Sequence, residues 1–108
     1  MSTDQARLLD ILKAGVIYKE EPFTLASGAV AHHFLDGKEA LAHADDLAVA
    51  AQAMVQAVRG AGIDFDSVGG LTLGADAVAV SMAMVAHCHW FFVRKETKNR
   101  GTNRVVEA

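Results

Sequence analysis

The sequence has a single cysteine and a single proline among its 108 residues. Cys88 therefore has no partner within the chain for a disulfide, which is typical of a protein from a reducing compartment. No apolar run approaches the ~20 residues that cross a bilayer, and the first residues carry neither the basic nor the apolar segment of a secretion signal. These absences predict a cytoplasmic protein without a membrane segment.

An excess of positive charge is also lacking, because ten Lys and Arg face thirteen Asp and Glu, for a net charge of −3. A nucleic-acid-binding domain is expected to be strongly basic, so the composition predicts no nucleic-acid partner. Metal ligands are sparse too, since His87 and His89 flank Cys88 but a structural zinc site requires about four suitably spaced ligands. We therefore predict no metal site formed by the protein's own side chains.

Apolar residues are abundant, at 52% of the chain, which is enough for the core of one globular domain. Hydrophobic spacing and turn residues predict several helices and strands. They are a helix after Asp4 that ends at Gly15, short strands at residues 16–18, 23–25 and 33–35, a helix from Asp45 or Asp46 to Gly60, a strand at 68–73, a helix at 77–86 and a strand at 89–93. The last three form a βαβ unit with two parallel strands. Two strands are too few for a stable parallel sheet, so the fold is expected to be incomplete.

A glycine-containing turn at residues 69–76 joins the first strand of this unit to its helix. Glycines at the carboxyl end of a strand let backbone N–H groups approach a phosphate beside a helix N-terminus. The turn matches neither the Walker pattern nor Gly-x-Gly-x-x-Gly, so by itself it is more readily a structural turn than a phosphate site.

The cations are concentrated near the end of the chain, where five of them directly follow the apolar run at residues 90–93: Arg94, Lys95, Lys98, Arg100 and Arg104. Cations on a loop can surround a polyphosphate and stabilise the charge that develops on a departing pyrophosphate. Composition equally allows a solvated basic hairpin, because charged runs usually face water. This loop and the glycine turn each follow the carboxyl end of a strand in the same βαβ unit. They are therefore expected at the same edge of the sheet, which favours an anion site.

Four segments together resemble the orotate phosphoribosyltransferase family, in order and in spacing. They are residues 23–28 (Phe-Thr-Leu-Ala-Ser-Gly), 34–38 (Phe-Leu-Asp-Gly-Lys), 68–76 and 93–107. The resemblance implies an α/β phosphoribosyltransferase-type fold, with a parallel sheet and a small amino-terminal hood, that is truncated here. Residues 1–108 would form one partial domain, with the first helix and hood in 1–40 and the first half of the core, ending in the cationic loop, in 41–108. The family's Thr-Thr-Gly-rich ribose-phosphate loop has no counterpart before Ala108.

The resemblance implies transfer of a phosphoribosyl group from phosphoribosyl pyrophosphate to orotate, with Mg²⁺, in a homodimer. The products would be orotidine monophosphate and pyrophosphate, in pyrimidine biosynthesis. By motif position, it implies pyrophosphate contacts from Arg94, Lys95, Lys98, Arg100, Gly74, Ala75 and Asp76. It implies orotate contacts from Ser27, Gly28, Phe34 and Lys38. Lys98 would be the catalytic cation and would enter the site of the neighbouring subunit.

The chain departs from the family pattern at several positions that bear on the base it binds: Ala26, Val30, Ala31 and Arg100. Two other functions therefore stay open. The first is a module that binds a nucleotide or pyrophosphate without turnover. The second is an interaction half that a second chain completes, because an unpaired strand edge invites pairing.

Overall fold

The computed structural model describes residues 2–94 and 105–107. Its helices are α1 (Thr3–Ala14), α2 (Gly37–Ala40), α3 (Ala44–Gly60) and α4 (Asp76–Ala86). Its strands are β1 (Val16–Thr24), β2 (Val30–Leu35), β3 (Ser67–Leu71), β4 (His89–Val93) and β5 (Val106–Glu107). The first two strands form one sheet and the last three form another. In this part of the chain, no helix has both the length and the apolar character needed to span a membrane.

Helix α1 begins one residue before the predicted Asp4, because Ser2 caps it. The Ser2 hydroxyl accepts a hydrogen bond from the Gln5 backbone N–H, and the Gln5 side chain accepts one from the Ser2 N–H. This reciprocal capping box satisfies two N–H groups that a helix start otherwise leaves unpaired. The helix ends at Gly15, as predicted. Gln56 of α3 donates to Asp4, which ties α1 to the core.

The hood is the antiparallel hairpin of β1 and β2, residues 16–35. The prediction of separate short strands at residues 16–18 and 23–25 was wrong, because β1 runs continuously through Pro22. Its register with β2 is irregular between Tyr18 and Phe23, and such an irregularity accommodates a residue without an N–H. Strand β2 begins at Val30, three residues earlier than predicted.

The buried core lies between α3, α4 and β3. Ala51, Val55 and Met82 form its centre. Small residues on both helices allow close approach, and burying a side chain such as Val55, which is 2% exposed, stabilises the fold by roughly 1.5–3 kcal/mol. Helix α3 ends at Gly60 as predicted, but its cap is His43, whose Nδ1 accepts from the Asp45 N–H, and neither Asp45 nor Asp46 fills that position.

The predicted βαβ unit is confirmed, since β3 and β4 are parallel and α4 connects them. Strand β3 ends at Leu71, earlier than predicted. The next residue, Thr72, still donates one hydrogen bond to β4, from its N–H to the Val93 carbonyl. The sequence prediction of two strands missed β5, which pairs antiparallel with β4. The two strands that flank the cationic segment are therefore hydrogen-bonded to each other.

The two faces of this sheet are covered unequally. On one face, a Cβ added to Gly70 would lie 2.5 Å from the Ala75 Cβ, so this face lies against the start of α4. On the other face, the Phe91 ring covers Gly69, and Leu71 and Val106 remain 49% and 53% exposed. Among the described residues, no helix packs on this second face.

Candidate functional site

A cleft of about 660 Å³ lies between the hood, α2, α3 and the start of α4. Phe34 and Lys38 line it on one side, and Leu73, Gly74 and Ala77 line it on the other. Two groups of residues that the sequence assigned to different ligands therefore face the same space. Phe34 and Lys38 were predicted to contact a base, and Gly74 was predicted to contact an anion.

The glycine turn is held in shape by a bond between two of its own side chains. The Thr72 hydroxyl donates to Asp76 Oδ2 at 2.6 Å, in a partly buried position. The other carboxylate oxygen, Oδ1, is buried and accepts no hydrogen bond among the described residues. The peptide between Thr72 and Leu73 is cis. Thr72 was not predicted as a site residue, because nothing in the sequence distinguishes its hydroxyl from any other loop threonine.

The turn also leaves backbone donors available. The N–H groups of Ala75 and Asp76 donate to carbonyls of Leu71 and Leu73, so they are not free for a ligand. Within residues 2–94 and 105–107, the N–H groups of Leu73, Gly74, Ala77 and Val78 make no hydrogen bond. Ala75 provides no side-chain cap for α4. Unpaired N–H groups at a helix N-terminus favour an anion.

Arg94 lies beside this turn, because it follows Val93, whose carbonyl accepts from Thr72. Its own N–H donates to the Val105 carbonyl at 2.7 Å, its Nε lies 3.5 Å from Glu107 Oε1, and its guanidinium lies 5.1 Å from the centre of the Phe92 ring. The remaining predicted cations, Lys95, Lys98 and Arg100, lie outside the described residues.

The turn of the hood contains Ser27 and Gly28. Gly28 has φ of +89°, which favours glycine, and its N–H donates to the Leu25 carbonyl. Both residues are exposed, and neither lines the cleft. The structure therefore does not bring them together with Lys38 in one cavity, and their predicted orotate contacts stay a prediction.

A smaller cavity of about 360 Å³ is also lined by Phe34, together with residues of β1 and of the hairpin turn. Phe23 meets Phe34 edge to face, with ring centres 6.0 Å apart, and Lys19 lies 5.8 Å from the centre of the Phe23 ring. Lys19 and Phe23 were not predicted as site residues, although both line this cavity. No regular alternation along β1 could have placed them on one face, because the strand register is irregular between Tyr18 and Phe23.

Lys38 is held at the rim of the cleft by Asp36. The two side chains are 3.2 Å apart, and Asp36 also caps α2 by accepting from the Lys38 N–H. The hydrogen bond from the Lys38 side chain lowers the pKa of Asp36 below its usual value of 3.8. Asp36 therefore stays ionised at neutral pH and gives the exposed Lys38 ammonium a preferred position.

The histidines beside Cys88 have structural environments. His87 ends α4 in the left-handed conformation, with φ of 55°, and His89 begins β4. Among the described residues, no three His, Cys, Asp or Glu side chains are grouped so that they could hold a metal ion.

Comparison with known proteins gives a consistent set of relatives, although no family model matches the chain. The orotate phosphoribosyltransferase of Leptospira biflexa is 34% identical over 96 residues, which are 83% of this chain and 52% of that protein. That of Corynebacterium glutamicum is 37% identical over 105 residues, which are 95% of this chain and 55% of that protein. The chain thus spans about half the length of the curated relatives it matches.

Solved structures show the same relationship. The crystal structure of Mycobacterium tuberculosis orotate phosphoribosyltransferase in complex with Fe(III) dicitrate matches with a TM-score of 0.70 and 33% identity, over 96% of this chain and 59% of that one. A phosphoribosyltransferase from Corynebacterium diphtheriae matches with a TM-score of 0.68 and 29% identity, over 99% of this chain and 58% of that one. The predicted resemblance and the predicted α/β phosphoribosyltransferase-type fold are confirmed.

Proposed function

We propose, on the premise that this chain is homologous to about half of an orotate phosphoribosyltransferase, that it contributes the orotate-binding and pyrophosphate-binding parts of such an enzyme. The reaction is the transfer of a phosphoribosyl group from phosphoribosyl pyrophosphate to orotate in the cytoplasm. Orotidine monophosphate and pyrophosphate are the products.

The observation that carries this proposal is the 660 Å³ cleft, which joins Phe34 and Lys38 to Gly74. A planar, anionic base suits a site with an aromatic ring on one wall and an ammonium at the rim. A polyphosphate suits the N–H groups of Leu73 and Gly74 across the same cleft, which make no hydrogen bond in the described part of the chain. The two reactants would then lie next to each other, as a transfer between them requires.

Catalysis in this proposal depends on the leaving group. As the bond between ribose and pyrophosphate breaks, negative charge accumulates on the pyrophosphate, and cations placed over it stabilise the transition state. We assign that role to Arg94, Lys95, Lys98 and Arg100. The turn at Gly74, Ala75 and Asp76 would approach the pyrophosphate through the Gly74 N–H, which makes no hydrogen bond among the described residues. Lys98 is the catalytic cation, supplied to the site of the neighbouring subunit of a homodimer.

Mg²⁺ would enter this site on the phosphates of the donor. The described residues include no group of three side chains that could hold the ion. Mg²⁺ commonly keeps several waters and is bound through substrate phosphates, so such a group is not required. The ion would neutralise part of the polyphosphate charge, while the chain's own residues orient the anion.

The test measures the loss of orotate absorbance when the chain is mixed with phosphoribosyl pyrophosphate and Mg²⁺. We expect turnover that falls by at least about 100-fold in Lys98→Ala, because this substitution removes a cation that acts mainly on the transition state. Lys13→Ala is the matched control, since Lys13 is an exposed residue at the end of α1 that does not line the cleft. Equal activity in wild type and Lys98→Ala would contradict the catalytic assignment.

A second candidate function is an interaction half that acts only with another chain. It is favoured by the sheet face on which Leu71 and Val106 are about half exposed. A folded wild-type chain that binds pyrophosphate but gives no turnover alone, and gains turnover when the carboxyl-terminal half of the Corynebacterium glutamicum relative is added, would support this candidate. A chain that turns over orotate without any addition would argue against it.

A further inference from the structure

Glu107 makes an ion pair with Arg94 that no proposed role yet explains. The Arg94 Nε lies 3.5 Å from Glu107 Oε1, and the two side chains are only 27% and 15% exposed. The Nε atom itself is buried and makes no hydrogen bond among the described residues, so its contact with Glu107 is an ion pair. The exposed part of the Arg94 side chain therefore belongs to its other atoms.

Strand register places this pair on the face of the sheet that meets α4. Phe92 is the register partner of Gly70 on β3 and of Glu107 on β5. Gly70 lies against Ala75 at the start of α4, so Phe92 and Glu107 share that face. The Arg94 guanidinium lies over the Phe92 ring, and it is therefore on the same face as the glycine turn.

Two contacts thus fix a long side chain before any ligand arrives. A free arginine loses rotamer freedom when it binds an anion, and this loss weakens binding. An arginine already held by an ion pair at its Nε and by an aromatic ring against its flat face avoids much of that loss, because the other nitrogens of the fork keep their geometry. The charge of Glu107 would repel an incoming anion, but Arg94 neutralises it at 3.5 Å. We therefore expect the orienting effect to exceed the repulsion.

We propose that Glu107 is a positioning residue, which holds the Arg94 guanidinium beside the glycine turn so that it contacts the pyrophosphate group. This inference rests on the proposed function, since it concerns the same anion site. It adds a residue that acts through Arg94 and touches no substrate itself.

The test is calorimetric titration of the chain with inorganic pyrophosphate in the presence of Mg²⁺. In Glu107→Leu we expect affinity to fall by about five- to tenfold, with unchanged stoichiometry. Glu107→Gln, which keeps an acceptor of the same shape, recovers part of that loss. Glu20→Leu is the matched control, because it removes the same charge from an exposed position on β1, and we expect it to change affinity by less than about twofold.

A double-mutant cycle shows whether Glu107 acts through Arg94. Arg94→Ala is expected to weaken binding more than Glu107→Leu does. Adding Glu107→Leu to Arg94→Ala is expected to cause no further loss, because without Arg94 the Glu107 carboxylate can only repel the anion. Tighter binding by Glu107→Leu would mean that Glu107 only repels the anion, and would overturn the proposal. An undiminished effect of Glu107→Leu in the Arg94→Ala background would overturn it as well.

A second measurement separates this inference from the proposed function. The Arg94 Nε–H signal in a ¹⁵N-labelled sample is expected to exchange slowly with water in wild type and rapidly in Glu107→Leu. Rapid exchange in wild type would overturn the positioning contact. Absence of pyrophosphate binding by wild type would instead refute the proposed anion site. Exchange that is slow in wild type and rapid in Glu107→Leu would then still show that Glu107 holds the guanidinium.

Discussion

The hood hairpin and the α3–α4 core differ in how much of each is withdrawn from solvent. No residue of β1 or β2 is buried, whereas α3 alone contains five buried residues. The hairpin still carries large apolar side chains, including Tyr18 and Phe34, which are 60% and 44% exposed. Apolar surface that a small protein leaves exposed commonly serves a ligand or a partner. The core therefore determines stability, and the hairpin is free to serve recognition.

The largest expected effect is on stability, from a substitution in the core at α4. Met82→Ala removes a side chain that is 7% exposed and packs with Ala51 and Val55, so we expect the free energy of unfolding to fall by about 2–4 kcal/mol. Met84→Ala, on the same helix, removes a side chain that is 72% exposed, and we expect a loss below about 0.5 kcal/mol. Urea denaturation measures both, and equal losses would contradict the assignment of the core.

Thr72→Val tests the glycine turn, which lies between the two regions. It removes the hydroxyl that donates to Asp76 and leaves a partly buried carboxylate without that donor, at an expected cost of about 1–3 kcal/mol. Thr72→Ser keeps the donor and is expected to recover most of the loss. We also expect weaker pyrophosphate binding by the valine variant, because the N–H groups of Leu73 and Gly74 lose their fixed orientation. If valine and serine behave alike in denaturation, the hydroxyl is not what holds the turn.

Phe34→Ala is expected to separate recognition from stability within the hairpin. Phe34 lines both the large cleft and the smaller cavity beside Phe23, so its removal is expected to weaken orotate binding about tenfold, or roughly 1.4 kcal/mol. Tyr18→Ala is the control, because Tyr18 is more exposed and lines neither cavity. Calorimetry with orotate measures the two affinities. A similar loss in both variants would mean that the hairpin was disturbed and that Phe34 has no specific contact.

The same division explains what could be predicted from the sequence. The βαβ unit was predictable, because apolar runs of strand and helix length alternate with glycine turns at residues 60–62 and 69–74. Strand β5 was not, since two residues are too few to show any periodicity, and it is fixed only by pairing with β4. The continuity of β1 through Pro22 was missed for a related reason. A proline interrupts a strand unless its partner tolerates a change of register, which only tertiary pairing reveals.

The site was predictable in part. The sequence indicated Phe34, Lys38 and Gly74 separately, but only the fold shows that they line one cleft. The bond between Thr72 and Asp76 depends on how the turn enters α4, and the ion pair between Arg94 and Glu107 depends on the pairing of β4 with β5. Contacts of this kind have no signature in spacing, because they join residues that any of several turns could bring together.

The smallest expected effect concerns the charge at the rim of the cleft. The hydrogen bond from Lys38 lowers the pKa of Asp36 in the folded state, so this contact contributes stability above the unfolded-state pKa near 3.8 and loses it as pH falls through the lower folded value. Because the Lys38 side chain is 79% exposed to solvent, the effect on unfolding is expected to be slight, and an NMR titration of the Asp36 carboxyl measures it directly. Lys38→Met is expected to raise that pKa toward 3.8, with Lys13→Met as the control. An unchanged Asp36 titration in Lys38→Met would show that the cap of α2, and not the ammonium, stabilises the carboxylate. Lys38 would then have no fixed position from which to contact orotate.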